Sequence, residues 1–349
     1  MSHSRLSDAI VVGGGPAGAA CAASLARAGV DVMLIHDERR GGWPGESLPP
    51  GSTGVITSIF GPVLDEARGH RITAGIRAAW GSRDLVETDY LRDPSDDAWV
   101  LDRARFDVDA RAAAASHGAR ILLGRAQTPE RNGSIWQVPL TSGETLTARF
   151  IVDATGRSAA VARRLGMRSR RRDHLVALVA IGRADGAART GTMVESVENG
   201  WWYATVIGER AIVAFLTDAD LLPKPDEHSA FWRAALASTQ HVRRIATALP
   251  DPELHRADTA FGEPAYGPGW VAVGDAAAAW DPLSSQGLLA GILLAAQAAQ
   301  AFVHGDLREW GEDLRMLVED TWGLQALYYG EESRWPDAPF WQRRHAWLT

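Results

Sequence analysis

Ala9-Ile10-Val11-Val12-Gly13-Gly14-Gly15-Pro16-Ala17-Gly18-Ala19-Ala20-Cys21 is the stretch on which the fold turns. Four apolar residues run into glycines, and Ala19 to Ala28 follows as a helix of small residues closed by Gly29. Val30 to Ile35 then reads as a second apolar strand, which completes a βαβ unit. Gly13, Gly15 and Gly18 fit G-x-G-x-x-G. The first permits a tight turn, the second lets a pyrophosphate approach the backbone, and the third lets helix and strand pack closely. A glycine-rich turn alone can be merely structural. Set between a strand and a helix opened by Pro16 and Ala17, it specifies a dinucleotide site at a helix N-terminus.

Outward from that unit, Gly41 to Gly54 is rich in Gly and Pro and reads as a loop, and Asp102 to His117 has helical spacing closed by Gly118. Arg120 to Leu123 reads as a strand, and Ile135 to Leu140 with Thr145 to Val152 as a hairpin about Ser142-Gly143. Leu175 to Gly182, Thr192 to Val197, Trp201 to Ile207 and Ala211 to Leu216 predict a second, mostly antiparallel sheet. Ser229 to Ala248 and Gly287 to Phe302 read as helices on either side of a short strand, Trp270 to Val273. The expected class is α/β: a Rossmann-like nucleotide domain with an inserted, mostly antiparallel substrate domain and a helical C-terminus. The nucleotide domain takes residues 1–80, 100–170 and 255–310, the substrate domain 81–99 and 171–254, and the C-terminal extension 311–349.

Composition excludes several classes. Of 349 residues 46% are hydrophobic and 23% charged, with a net charge of -7, so a basic nucleic-acid surface is not expected. Cys21 is the only cysteine, which excludes an internal disulfide and any multi-cysteine metal site; no metal is expected, and a reducing cytoplasm fits. Lys224 is the only lysine, which nearly excludes Schiff-base chemistry. Leu288 to Val303 carries Gln297 and Gln300 and is short for a membrane span, so a buried helix is expected there. Glycines likewise interrupt the apolar N-terminal stretch, which reads as mature structure rather than a signal peptide.

Three later segments narrow the dinucleotide. Ile151-Val152-Asp153-Ala154-Thr155-Gly156-Arg157-Ser158, Val271-Ala272-Val273-Gly274-Asp275-Ala276-Ala277 and Asp281-Pro282-Leu283-Ser284-Ser285-Gln286-Gly287-Leu288 follow the glycine turn in order. They resemble the segments with which FAD-dependent monooxygenases and tryptophan-halogenase-like flavoproteins hold FAD. The resemblance implies that Asp153 lies beside the nucleotide, that Gly274 and Asp275 bind the ribitol portion, and that Pro282, Gln286, Gly287 and Leu288 open a helix under the flavin ring. A helix N-terminus there offers unpaired N–H groups and a positive dipole end to reduced flavin. The acid that binds the ribose should close the second strand. Counted as in the related flavoproteins, its place falls on His36, with Asp37 one step later; either Asp37 takes the role or His36 contacts the adenosine in another way.

Gly45-Glu46-Ser47-Leu48-Pro49-Pro50 and Asp102-Arg103-Ala104-Arg105-Phe106-Asp107 sit where flavin-dependent halogenases and their non-halogenating relatives carry similar motifs. Glu46, Ser47 and Arg103 thereby join the expected cofactor set. Trp201-Trp202-Tyr203 and the tail Arg334 to Trp341 look closest to the non-halogenating flavoproteins that modify tryptophan during quinone-cofactor maturation. Halogenases use a lysine, and Thr73 stands in its place here, so halogenation is disfavoured. The resemblance implies an FAD-dependent monooxygenase that inserts oxygen into an electron-rich, indole-like aromatic through a flavin C4a-hydroperoxide, with O2 as co-substrate. The substrate is an aromatic small molecule or a peptide tryptophan. Electrons come from transient NAD(P)H or a separate flavin reductase, and a precursor protein is a further candidate partner. Trp201, Trp202 and Tyr203 are candidate pocket walls, though each equally suits a core, and Glu46, Asp281 and Ser285 are candidate catalytic groups, with helix capping the first role of the last two. A flavin dehydrogenase, oxidase or reductase is the alternative enzyme, and a non-catalytic maturation partner the alternative from outside catalysis.

Overall fold

The computed structural model describes residues 5–37, 45–73, 75–89, 97–186, 188 and 191–348. Ser7–Val12 is the centre of the first sheet, and nearly every side chain on it is buried, as a strand covered on both faces requires. It pairs in parallel with Val32–His36 on one side and Thr145–Asp153 on the other. Arg120–Leu123 extends the sheet beyond the former and Trp270–Ala272 beyond the latter, both in parallel. The strand order therefore reverses at Ser7–Val12, and the carboxyl end of that strand is the topological switch point where open α/β sheets bind ligands. Antiparallel additions, Ile135–Pro139, Glu130–Asn132 and Tyr266–Gly267, complete this sheet.

The α-helices are α1 (Pro16–Arg27), α2 (Ser52–Phe60), α3 (Arg103–Ser116), α4 (His228–Ser238), α5 (Gly287–His304), α6 (Leu307–Gly330) and α7 (Pro339–His345). Ala19, Ala20, Cys21, Ala22 and Ala23 of α1 are fully buried, and their small side chains let α3 and α5 lie close against it. α5 is long and apolar enough to cross a membrane. Its Gly291, Ile292, Leu294, Ala295, Ala298 and Ala299 are buried within this core, a third of the helix, so it is buried along one face rather than throughout as the sequence led us to expect.

The second sheet runs in the order Ala246–Ala248, Leu175–Ala184, Arg210–Asp218, Gly200–Ile207, Gly191–Val197, Gly75–Ala79 and Val86–Asp89. It is antiparallel except where Gly191–Val197 meets Gly75–Ala79. Because side chains alternate along a strand, its two faces carry different cores. Leu175, Trp201, Tyr203, Ala214 and Leu216 pack against Tyr329, Phe340 and Trp341 of α6 and α7. Leu178, Trp202, Val213 and Phe215 pack against Trp232 of α4. The helical tail is thus a cover for one face of this sheet.

Three local expectations differ from the structure. The helix read over Ser229 to Ala248 ends at Ser238. Buried Glu195 accepts the N–H groups of Gln240 (2.6 Å), His241 (3.0 Å) and Val242 (3.0 Å), and this pulls the backbone into a short turn. The loop read over Gly41 to Gly54 holds a strand, Gly45–Leu48, which pairs with Ala98–Asp102, and α2 begins at Ser52. Glu38 and residues 39–44 lie outside the described residues. Gly75–Ala79, placed at the end of the first nucleotide segment, hydrogen-bonds within the second sheet.

Candidate active site

The turn after Ser7–Val12 is built as the glycine spacing requires. Gly13 has φ +116°, and a Cβ on it would lie 2.1 Å from the Ala154 carbonyl oxygen. A Cβ on Gly18 would lie 1.9 Å from the Gly13 carbonyl oxygen, so helix and turn touch only because both residues are glycine. Gly15 differs: nothing stands within 4 Å of where its Cβ would be. It is also the N-cap of α1, and no side chain caps that helix end. Open space before an uncapped N-terminus is what a pyrophosphate needs. His36 is the last residue of its strand and backs onto Gly14, with Asp37 one step beyond the strand.

Asp153 has a different role from the expected contact with nucleotide. It is wholly buried and its carboxylate accepts from Thr155 N (2.9 Å), Thr155 Oγ1 (2.7 Å), Val161 N (3.0 Å) and Ala162 N (2.7 Å). Those bonds occupy the lone pairs a ligand would use, so Asp153 shapes the loop that presents Ala154 to Gly13.

Glu46, on Gly45–Leu48, meets α3: Arg103 donates to Glu46 Oε1 and pairs at 3.2 Å with Asp107. Arg157 lies 3.4 Å from Asp275, and both are close enough for their charges to act on Glu46. Burial pushes the Glu46 carboxyl up to about 7; Arg103 opposes the shift and Asp275 and Asp107 add to it. Glu46 Oε2 is buried with no hydrogen-bond partner. An orphaned acceptor of this kind, together with the vacant ground before Gly15, fits a polar cofactor lying between turn and cluster. Next to it, Ser47 Oγ lies 2.7 Å from Thr192 Oγ1, and the Tyr203 hydroxyl bonds to both. Thr73 is buried beside Gly191, with its hydroxyl donating to the Gly75 carbonyl at 3.2 Å.

Asp281 is buried at the turn into α5. Its Oδ1 accepts from Leu283 N (2.8 Å), and its Oδ2 from Gln325 Nε2 (2.7 Å) and the Tyr329 hydroxyl (3.0 Å). Burial pushes its carboxyl up to about 6, with nearby Asp173 adding to the shift. Pro282–Ser284 forms a single 3-10 turn, and Ser285 takes φ +51°, so both are set by the geometry of the turn before Gln286 and Gly287 start the helix. The strand alternation separates the aromatic trio. Trp201 and Tyr203 face the tail and the Glu46 side, whereas Trp202 points the other way, with ring centroids 5.0 Å from Phe215 and 5.5 Å from Trp232. Trp202 is core.

The family model for tryptophan halogenases matches residues 86–347. The chain belongs to the tryptophan halogenase family. Residues 7–156 also match the pyridine nucleotide-disulphide oxidoreductase model, in line with the nucleotide-binding sheet. LodB of Marinomonas mediterranea, whose assigned name proposes an FAD-dependent oxidoreductase, is 30% identical over 97% of this chain and 97% of its own length. Among solved structures, the peptidyl tryptophan dihydroxylase QhpG, essential for tryptophylquinone cofactor biogenesis, superposes with a TM-score of 0.83 at 26% identity, covering 97% of this chain and 79% of that one. The myxobacterial chondrochloren halogenase CndH gives 0.85 at 22% identity, covering 97% and 86%, and at that identity shows the shared fold. This tryptophan halogenase family member is accordingly an FAD-dependent oxidoreductase.

Within the family fold, the structure brings Glu46, Ser47, Arg103 and Asp275 to one side of the glycine turn and sets Trp202 apart. Sequence reasoning missed Thr192, Asp107, Gln325 and Tyr329. Asp107 was legible as the i+4 partner of Arg103 on a helix. Thr192, Gln325 and Tyr329 carry no local motif; only the pairing of distant segments reveals them.

Proposed function

We propose that this chain is an FAD-dependent monooxygenase that inserts oxygen into an electron-rich aromatic ring, with a tryptophan indole in a peptide as the favoured substrate class. The observation that carries the reading is the cluster of hydroxyls of Ser47, Thr192 and Tyr203 beside Glu46; Thr73 stands where the resemblance would place the halogenase lysine, and the only lysine, Lys224, is exposed before α4. Likeness to a peptidyl tryptophan dihydroxylase at 26% identity supports the substrate class. Reduced FAD, when bound, supplies two electrons to dioxygen, so that one oxygen atom joins the ring and the other leaves as water. Gly13, Gly15 and Gly18 would hold its pyrophosphate, and Asp275 with Arg157 the middle of the molecule. Glu46, with a carboxyl near 7, would take up and release a proton at Oε2 close to working pH. Trp201 and Tyr203, packed against the tail, would help to exclude water from the ring. The electrons would come from NAD(P)H through a separate flavin reductase.

The test is to supply the purified protein with FAD, a flavin reductase, NAD(P)H, chloride and bromide, and a tryptophan-containing peptide under labelled dioxygen. A product heavier by one or two labelled oxygen atoms is expected. Flavin-loaded protein that incorporates halide instead, or no oxygen, refutes the reading. A second reading has one specific support: menaquinone reductase of Mycobacterium tuberculosis is 28% identical over 93% of this chain and 82% of its own length. Anaerobic reoxidation of the reduced flavin by a quinone or another unsaturated acceptor would favour that reductase role.

A further inference from the structure

Asp281 links three parts of the molecule that are far apart in sequence. Trp201 Nε1, on the second sheet, donates to the Tyr329 hydroxyl at 3.0 Å, and that hydroxyl donates to Asp281 Oδ2 at 3.0 Å. Gln325, one helical turn before Tyr329, donates to the same oxygen at 2.7 Å and also to Thr259 Oγ1 at 3.2 Å. The other oxygen, Oδ1, fixes Leu283 N, and the Asp281 carbonyl accepts from Ser284 Oγ at 3.0 Å. Ser285, at φ +51°, is a non-glycine residue in the left-handed region, a conformation kept only where its surroundings impose it. Tyr329 is itself wedged among Trp80, Phe340, Trp341 and Trp347. Among the described residues, the hydrogen bonds that reach the Asp281 side chain from outside its own turn therefore come from α6.

We propose that Asp281 is a positioning residue, the joint through which α6 sets the turn Pro282–Ser285 and with it the N-terminus of α5, so that the tail governs how tightly the chain holds FAD and how strongly it favours the reduced form. The claim rests on the reading of that turn as the one beneath the flavin ring. A helix N-terminus held in place stabilises negative charge on the reduced ring; a loosened one does not.

The test uses the full chain with Tyr329→Phe and Gln325→Leu, singly and together. Tyr329→Phe keeps the ring and removes the O–H donor to Asp281 together with the acceptor of Trp201 Nε1, whereas Gln325→Leu removes a donor to Asp281 and leaves Trp201 paired. In flavin-free protein, amide exchange over residues 281–290 should quicken about tenfold for each donor lost, with strand 175–184 unchanged as control. In loaded protein, FAD should bind at least about tenfold more weakly, the reduced form losing more than the oxidised, so that the midpoint potential falls. Unchanged exchange over 281–290 overturns the joint, and so does a general rise that includes the control strand. Faster local exchange with unchanged FAD affinity and potential overturns the link from tail to flavin. Wild-type protein that binds no FAD fails the underlying reading, and the exchange arm still decides the joint. Asp281→Asn that abolishes turnover while leaving exchange and potential intact would make Asp281 a catalytic group instead, and overturn its positioning role.

Discussion

Glu46→Gln tests the electrostatics of the site without any substrate. A free glutamate carboxyl titrates at 4.5, and burial raises this one to about 7. The penalty for ionising it in the folded state is absent below 4.5, grows through the window up to about 7, and is complete above it. At 1.36 kcal/mol per unit, it costs about 3 kcal/mol of stability at pH 8 and about 1 kcal/mol at pH 5, a loss of about 2 kcal/mol over that interval. The side chain keeps 22% of its surface open to water, which trims this figure without cancelling it. Glutamine has the same shape and no titration, so the flavin-free variant should lack that loss, and its stability relative to wild type should improve as pH rises from 5 to 8. Asp281, raised to about 6, titrates in the same sense in both proteins and drops out of the difference. Urea unfolding of both proteins at several pH values, followed by tryptophan fluorescence, measures it. Superimposable pH profiles would refute the claim that burial, rather than the Arg103 pair, controls this carboxyl.

Other consequences follow from the same geometry. Gly15→Ala puts a methyl into space that no protein atom occupies, so stability should change by less than about 0.5 kcal/mol while FAD affinity falls by at least about tenfold; thermal melts and flavin titration separate the two effects. Trp202→Ala empties a fully buried site and should cost about 3–5 kcal/mol by denaturant unfolding, with turnover per folded molecule retained. Tyr203→Phe should do the reverse, with modest loss of stability and slower product formation, because its hydroxyl ties Ser47 to Thr192. Arg344→Met removes the buried partner of Asp218, bonded at 2.7 and 2.9 Å, and should cost about 3 kcal/mol and open the tail to proteolysis, since Arg343 alone remains to pair that carboxylate.

Much of the fold was readable because its signals are local. The turn from Gly13 to Gly18 carries its own steric reasons, and alternation along Thr145–Asp153 and Gly200–Ile207 placed strands with ends correct to about a residue. The errors have a common cause in contacts from elsewhere. Ser229 to Ala248 has helical composition throughout, yet the Glu195 carboxylate, 45 residues away in sequence, outbids the helix for the amide of Gln240. Gly45–Leu48 looked like loop because its strand character comes from its partner, Ala98–Asp102. The motif for Asp153 was readable but its task was not. A carboxylate at a strand end binds ligand or loop according to which N–H groups fold back onto it, and here Thr155, Val161 and Ala162 do.

The same division explains why FAD was legible and the reaction was not. A pyrophosphate is recognised by backbone, and backbone requirements are written in consecutive glycines. The proposed chemistry would draw on side chains that meet across the interface of two sheets and a tail: Glu46 from Gly45–Leu48, Thr192 and Tyr203 from the second sheet, and Tyr329 128 residues beyond Trp201. Each position taken alone is an ordinary core polar residue. Their conjunction gives the site its character, since a cluster of hydroxyl groups can donate and accept hydrogen bonds, the property on which the proposed oxygenation would rely. The proposed oxygen transfer would need a dry, shaped wall and one acid near neutrality, and Glu46 with Tyr203 and Trp201 would serve in those roles.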